Sequence, residues 1–597
     1  MLHKLFRTWA WCGAAVLSIA NLVQGQTGET LPVPLPAAAP RSVQAVSQGN
    51  DDELRSRIER LEKQNQELLE ALRQLKMTQP PILPAAIPEG ADRAVGTGGA
   101  GGAGGAGSAE KDVRAIVGEV LKERADAEAA KKKKDADDGF VVGQSMGLTG
   151  SWQNHQPWFE TADKAFRVHV GGRIQPEWIL GAGADKNVVA GKGGTGPLLE
   201  GFNFRRARLE ADGWLWEVVD FFIEYDFANQ FSSGQPFTAN LVTGAVTPSR
   251  NNDFNTFGVP APTDVWAGIN YIPLLGGIRI GNFKPPIGLE HLISSRYLDF
   301  LERNTGFDIY YNRNNGFAPG FMVFNYTENQ KLTWQLAATK PTNTLFGWTT
   351  GGGEWAYTGR ITGLPWYEDN GRYMMHLGVG AQYISRLDED RANFNGRWDL
   401  RNGGPNLQNL VVQTNVIGQH QEIINPEFFL NCGPLSIMAE YQAVWVNGVT
   451  SFLTQTTGAF VPVPSRNYFS HAAYVQAMYF LTGESRPYGK TALHSSGAAP
   501  TRVVPFRNFF WVPGHGGMPN PFSAGAWQVG LRYCWADLND NGINGGIINE
   551  WTAGLNWFVN PNMKIQWNYD IGHRNIAFPG TSSGMYQGFG MRMTFDF

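Results

Sequence analysis

Arg206 and Arg208 stand two residues apart in Phe204-Arg205-Arg206-Ala207-Arg208-Leu209-Glu210. In an extended chain such residues share a face, so two guanidinium groups point the same way, and their planar forks match the oxygens of carboxylate or phosphate. Arg167, Arg173, Arg279, Arg360, Arg532 and Arg592 occupy comparable positions in other alternating segments, each opposite the apolar face. Gathered around one cavity, these arginines make a path for small anions. Glu210, Asp212, Glu224, Asp226, Glu550 and Asp570 fall on the same faces, and a lumen of mixed sign selects ions only where the signs are segregated.

A second concentration of charge lies between Lys284 and Asn315, where Lys284, Arg296, Arg303 and Arg313 stand beside Glu290, Asp299, Glu302 and Asp308. Folded into a channel, this stretch is a constriction loop whose charges set the local field. Hung outside, its charges are only hydrated.

No His-Glu-x-x-His occurs, and the ten histidines are scattered. Asp537-Leu538-Asn539-Asp540-Asn541-Gly542 imitates the opening of a calcium loop, but Ile548 occupies the place of the closing bidentate Glu, so an exposed hairpin loop is the preferred reading. Cys432 and Cys534 make neither a zinc motif nor a disulfide framework. The expectation is no catalytic residue, no metal and no cofactor, with small anions and outer-membrane lipid as partners rather than nucleic acid.

The elements that must position these charges are strands. Glycine (72 residues) and aromatics (12 %) suit a long series of hairpins. Lys4 and Arg7 precede an apolar stretch from Thr8 to Val23, which makes residues 1–25 a secretory signal peptide, the alternative being a buried helix. No later segment supplies the ~20 apolar residues of a membrane helix, so a membrane is crossed here only by a closed barrel.

Residues 51–77 carry Leu54, Ile58, Leu61, Leu68, Leu72 and Leu75 at heptad spacing, with Asn65 in the vacant core position. This predicts a coiled coil, placed in the periplasm, with a lone amphipathic helix as the alternative. Residues 78–108 form a Pro-rich, then Gly-Ala-rich linker. Residues 109–138 form a short charged helix ending in Lys131 to Lys134, a run that is either solvated or meets acidic polymer or a membrane surface.

Residues 139–597 are the predicted barrel. In the last segment Met585, Phe589, Met591, Met593, Phe595 and Phe597 share one face, while Gly588, Gly590, Arg592, Thr594 and Asp596 share the other. That is period two with the apolar face toward lipid. Sixteen such segments run from 166–181 to 585–597, giving an all-β antiparallel transmembrane barrel of about 16 strands. The weakest of them, 421–431, is interrupted by Pro426. Long connections follow odd-numbered strands and tight turns follow even-numbered ones, the arrangement of outer-membrane barrels. The stretch from Gly483 to Ala524 breaks this rule: it is either an extended periplasmic segment or a sign of a miscounted strand.

From Phe202 onward the chain resembles the phosphate-selective porin O/P family. The resemblance is carried by Phe204 to Glu210, by Gly281-Asn282-Phe283-Lys284-Pro285-Pro286-Ile287-Gly288-Leu289-Glu290 and by Leu301-Glu302-Arg303. Phe480-Leu481-Thr482-Gly483-Glu484-Ser485-Arg486, Asp537 to Asp540 and Gly554-Leu555-Asn556-Trp557 continue it in order. It implies a homotrimer of sixteen-stranded barrels with arginines and lysines lining an anion path. The coiled coil ahead of the barrel is similar to that of some trimeric diffusion porins. Residues 1–138 hold 18 basic and 19 acidic side chains, leaving 31 basic and 34 acidic for the barrel region, so no complete arginine ladder maps onto it.

Two functions follow. One is an outer-membrane porin passing small hydrophilic solutes, anions such as phosphate foremost. The other is a structural anchor whose coiled coil ties the membrane to cell-wall polymer. A barrel-embedded hydrolase is the third and least favoured reading.

Overall fold

The computed structural model describes residues 147–597 except 191–194, 199, 232–236, 241–244, 249–258, 312–315, 341–353, 386–390, 402–409, 454–459, 510–524 and 577–582. The signal peptide, coiled coil, linker and charged helix expected within residues 1–138 lie outside the described residues, as does Arg313.

Sixteen antiparallel strands make the cylinder: β1 (Phe166–Ala184), β2 (Gly201–Leu215), β3 (Val219–Phe231), β4 (Val259–Ile272), β5 (Gly276–Phe283), β6 (Ala318–Tyr326), β7 (Leu332–Thr339), β8 (Ala356–Glu368), β9 (Tyr373–Ile384), β10 (His420–Cys432), β11 (Leu435–Leu453), β12 (Phe460–Phe480), β13 (Ala526–Asp540), β14 (Ile543–Asn560), β15 (Met563–Asn575) and β16 (Gly584–Asp596). Pairing of β16 with β1, with Arg592 opposite Glu177 and Phe595 opposite Ile174, closes the sheet and leaves no edge to satisfy in lipid. Each of the sixteen predicted segments falls on one of these strands. Pro426 is accommodated because the β10–β11 ladder skips it, pairing Ile424 with Ala443 and then Glu427 with Glu440.

Alternation decides which face each side chain takes. Leu209 and Ile280 are 57 % and 65 % exposed on the outside, whereas Arg208 and Arg279 beside them are buried inside. The turn after β13 differs from expectation. Pairing continues to Asp540 opposite Ile543, so the connection shrinks to Asn541-Gly542 with φ of 47° and 79°, the left-handed pair that a two-residue hairpin requires. The calcium-loop imitation spends its oxygens on backbone amides: Asp537 Oδ1 accepts from Asn539 at 2.9 Å, Asn539 Oδ1 from Gly546 at 2.9 Å and Asp540 Oδ2 from Phe469 on β12 at 2.8 Å.

Two hairpins beyond the predicted strands join the barrel sheet, and two smaller pairs, Phe237–Asn240 with Ala245–Pro248 and Tyr488–Gly489 with Ala499–Pro500, stand apart from it. Leu148–Gln153 with Gln156–Thr161 pairs onto β1, and Arg391–Arg397 with Leu410–Ile417 touches β11. The second belongs to the long connection after β9, which folds inward together with the connection after β5. Leu301, Phe307 and Ile309 from one and Trp398, Leu400 and Val412 from the other join wall residues Tyr468, Ile548 and Tyr586 in a buried apolar cluster inside the cylinder. The wall makes room with glycine: a Cβ on Gly554 would lie 2.8 Å from the Phe300 ring, on Gly588 2.6 Å from Trp398, and on Gly590 2.6 Å from Leu301.

The anomalous stretch on the turn side is not a miscounted strand. Its described part enters the lumen, where Arg279 donates to Ala492 O at 3.2 Å, Gln335 to Ser496 O at 3.1 Å and Arg360 to Ala498 O at 2.9 Å.

Candidate channel lining and constriction

The loop after β5 is pinned at several points. Asn304 caps the short helix Thr305–Tyr310, its side chain accepting from the Phe307 amide at 2.9 Å. Upstream, Glu440 on β11 accepts from the amides of Leu289 and Glu290 at 2.7 and 2.8 Å, tying the start of the turn Leu289–Leu292 to the wall. Glu290 accepts from the Asn304 backbone and side chain, both at 2.7 Å, and meets Arg532 at 3.3 Å.

Glu302, on the inserted loop, gathers four arginines. Arg205 grips it at 2.7 and 3.2 Å, Arg592 at 2.8 Å, Arg206 at 3.4 Å and Arg401 at 3.9 Å. Burial opposes its charge, but these four arginines outweigh it and hold the Glu302 carboxyl well below the usual carboxylate range.

Arg205 was not foreseen, because strict alternation turns it outward once Arg206 points in. The register between β1 and β2 shifts at this point: Gln175 pairs with Arg206 and Pro176 with Phe204. This bulge brings both consecutive arginines inside. Pro176, which cannot donate to the ladder, is the one signal in the sequence that foreshadows it. Arg401 and Asp399 were missed for another reason: they belong to a loop whose inward fold no periodicity announces.

The other predicted residues fall into three groups. Arg173 pairs with Glu224, and Arg208 meets Glu224 and Asp226 at 2.8 Å each. Together with Arg206, Lys284, Arg296 and Arg303 they line one cavity of about 220 Å³. Arg532 pairs with Asp399, and Arg592 with Glu177, both beneath the inserted loops and fully buried. Arg279 and Arg360 reach the segment inserted from the turn side, Arg279 stacked on Trp266 at 3.6 Å and Arg360 bidentate to Glu427 at 2.7 Å. Arg167 joins none of them. The unforeseen hairpin draws it aside, where it stacks between Trp158 and Trp214 at 4.1 and 4.8 Å.

Charges of opposite sign are therefore interleaved in contact rather than separated onto two walls. The imbalance sits at the 220 Å³ cavity, lined by six basic side chains against the two acidic ones, Glu224 and Asp264, with hydroxyls from Ser294, Ser295, Ser495, Ser496 and Thr501. Arg296 is paired with Glu210 and Asp596. Lys284 donates only to carbonyls, His291 O at 2.9 Å and Ile293 O at 3.0 Å. Arg303 likewise donates to Glu290 O at 2.9 Å and Ile293 O at 2.6 Å. Among the described residues neither has a carboxylate within salt-bridge distance. Burial, then Arg303, pushes Lys284 well below the ordinary lysine value. Burial, then Lys284 and Arg303, pushes His291 down to about 3. Burial is the larger cause in both cases, and the neighbouring cations add to it.

A closed cylinder of sixteen antiparallel strands, apolar outside and charged within, with an inward-folded loop after its fifth strand, is the architecture of an outer-membrane diffusion channel. The chain belongs to the family described as phosphate-selective porin O and P, whose sequence profile matches residues 182–597, and it is an outer-membrane porin, a channel rather than an enzyme. It is 23 % identical over 438 residues to Porin O of Pseudomonas aeruginosa, covering 68 % of this chain and 83 % of that protein. Among solved structures, the outer membrane channel DcaP of Acinetobacter baumannii aligns with a TM-score of 0.40 at 13 % identity, over 74 % of this chain and 99 % of that one. The anion-selective porin from Comamonas acidovorans aligns with a TM-score of 0.39 at 11 % identity, over 72 % and 99 %.

Proposed function

We propose that this porin passes small anions, phosphate among them, and that the cavity between the loop after β5 and the segment inserted from the turn side is where they are selected. The observation that carries this reading is the pair Lys284 and Arg303, two buried cations whose donors meet only carbonyl oxygens. A buried charge without a partner is costly, and an oxyanion in the cavity supplies that partner while accepting from the surrounding hydroxyls. Arg173, Arg206 and Arg208 extend the positive wall, their own carboxylates fixing guanidinium orientation. The family, phosphate-selective by its description, supports the choice of anion.

The test is block of chloride current by phosphate in a planar bilayer. Added phosphate reduces the chloride conductance of the wild type in a saturable way. Changing Lys284 and Arg303 together to Gln weakens that block roughly tenfold or more, the effect of losing a charge-assisted hydrogen bond. Equal block in wild type and variant would move the selective site elsewhere.

The active unit in this reading is a homotrimer supported by a coiled coil over residues 51–77. The anchor alternative gains nothing from the family, and a protein that only tethers conducts no current when purified.

A further inference from the structure

We propose that the outer face of β6–β10 holds one phosphorylated, acylated lipid of the outer leaflet, with an acyl chain in a groove on the wall and a phosphate on Lys340. The groove, of about 860 Å³, exists because Ala338, Gly359 and Ala381 on three neighbouring strands carry nothing larger than a methyl group. Around them Phe321, Leu336, Tyr357, Tyr383 and Ile424 stand exposed. Register sets the levels. Tyr357 faces Tyr383, and two residues along each strand Gly359 faces Ala381, so the floor opens directly beneath a pair of aromatic rings. Such rings mark the membrane–water interface of a barrel, which puts the groove at acyl-chain depth. Its upper end lies at the rim of long connections, which faces away from the periplasm, so the leaflet is the outer one.

Above the rings stands a cation. Lys340 Nζ lies over the Trp355 ring at 5.1 Å, and that ring packs against Phe321 at 6.2 Å between centroids, so the ammonium is held at the head of the groove. Among the described residues it has no carboxylate within salt-bridge distance. Glu422, at the far edge of the groove, stands three strands round the wall, about 14 Å away at the ladder spacing of ~4.8 Å. From Lys340 down to Trp334 the wall descends about 15 Å, at ~3.4 Å per residue and a tilt of ~40°. That is little more than half of the ~25 Å apolar band of a barrel, the depth of one leaflet. An ammonium calling for an anion, above an apolar slot one leaflet deep, matches the two halves of a phosphorylated lipid better than it matches a second copy of the chain.

The experiment uses the full-length protein, delipidated in detergent and incubated with lipid A, with the retained lipid counted by native mass spectrometry. The wild type keeps one lipid A per chain in preference to phosphatidylethanolamine, whose head is neutral overall. Gly359→Leu fills the slot, because its Cβ meets only Leu336 Cδ2 at 3.2 Å, a flexible end that gives way. It lowers the affinity roughly tenfold, the effect of about two methylene groups left unburied. Lys340→Gln lowers it several-fold with the groove intact, and Gly363→Leu, on the same face nearer the periplasm, changes nothing. Folding of each variant is judged by heat modifiability, and Lys340→Gln carries the test if Gly359→Leu does not fold. Absence of retained lipid A on the wild type overturns the proposal, as does undiminished retention by a folded Gly359→Leu or Lys340→Gln, or equal retention of phosphatidylethanolamine. A trimer that Gly359→Leu dissociates in sedimentation overturns it too, by assigning the groove to a second copy.

Discussion

Glu302 is the residue on which the inserted loop hangs, because its single charge is shared by four arginines. Glu302→Gln leaves Arg205 and Arg206 without a carboxylate, while Arg592 keeps Glu177 and Arg401 keeps Asp308, and breaking a buried pair in this way costs about 3–5 kcal/mol. We expect the variant loop to become sensitive to added protease and the single-channel current to become noisier; an unchanged digestion pattern would contradict this. The pH dependence follows from the depressed carboxyl. Its stabilising charge is fully present above the ordinary carboxylate range and is lost only as pH falls through the lowered value. Wild-type channels therefore keep a quiet current to strongly acid pH, while Glu302→Gln is noisy at every pH. Lys284 works with the opposite sign. Its value is depressed, so its positive charge is complete at low pH and is lost, as pH rises, earlier than that of an ordinary lysine. Anion preference should weaken over that interval in the wild type, and Lys284→Arg, whose guanidinium stays protonated, should remove the dependence. A selectivity flat in pH for the wild type would count against Lys284 as a charged member of the path.

Among the elements, the strands and the inserted loop after β5 were legible, and the inserted hairpin after β9 and the turn-side segment were not. Period-two alternation is written into every wall strand, since lipid on one side and charge on the other demand it, and even β10 with Pro426 follows it. A bulge adds one residue and reverses the face of its neighbour, so Arg205 escaped. What fills the cylinder depends on contacts between distant parts of the chain, such as Glu440 with the amides of Leu289 and Glu290 or Trp398 against Gly588. Nothing local records these. The inserted turn-side segment makes its own prediction. Replacing residues 487–503 by a short Gly-Ser linker removes the backbone acceptors of Arg279 and Arg360 and should raise single-channel conductance several-fold. An unchanged conductance would mean that this segment lies off the ion path.

For the molecule as a whole, closure and association are separable. Closure runs through β16, where Phe597 exchanges backbone hydrogen bonds of 3.2 Å with Gly172. Removing Phe595 to Phe597 should lower the yield of heat-modifiable barrel, and normal yield from the truncated chain would contradict that role. If the proposed coiled coil over residues 51–77 supports the proposed trimer, their deletion should weaken a trimer measured by sedimentation without abolishing the barrel. The central claim, that a lumen built of interleaved ion pairs nevertheless selects anions through its unbalanced cavity, is tested most directly by the zero-current potential of the purified channel in a potassium chloride gradient. The account predicts the sign of chloride preference, shifted toward cation preference when Lys284 and Arg303 are both neutralised. A wild-type potential already on the potassium side would contradict it.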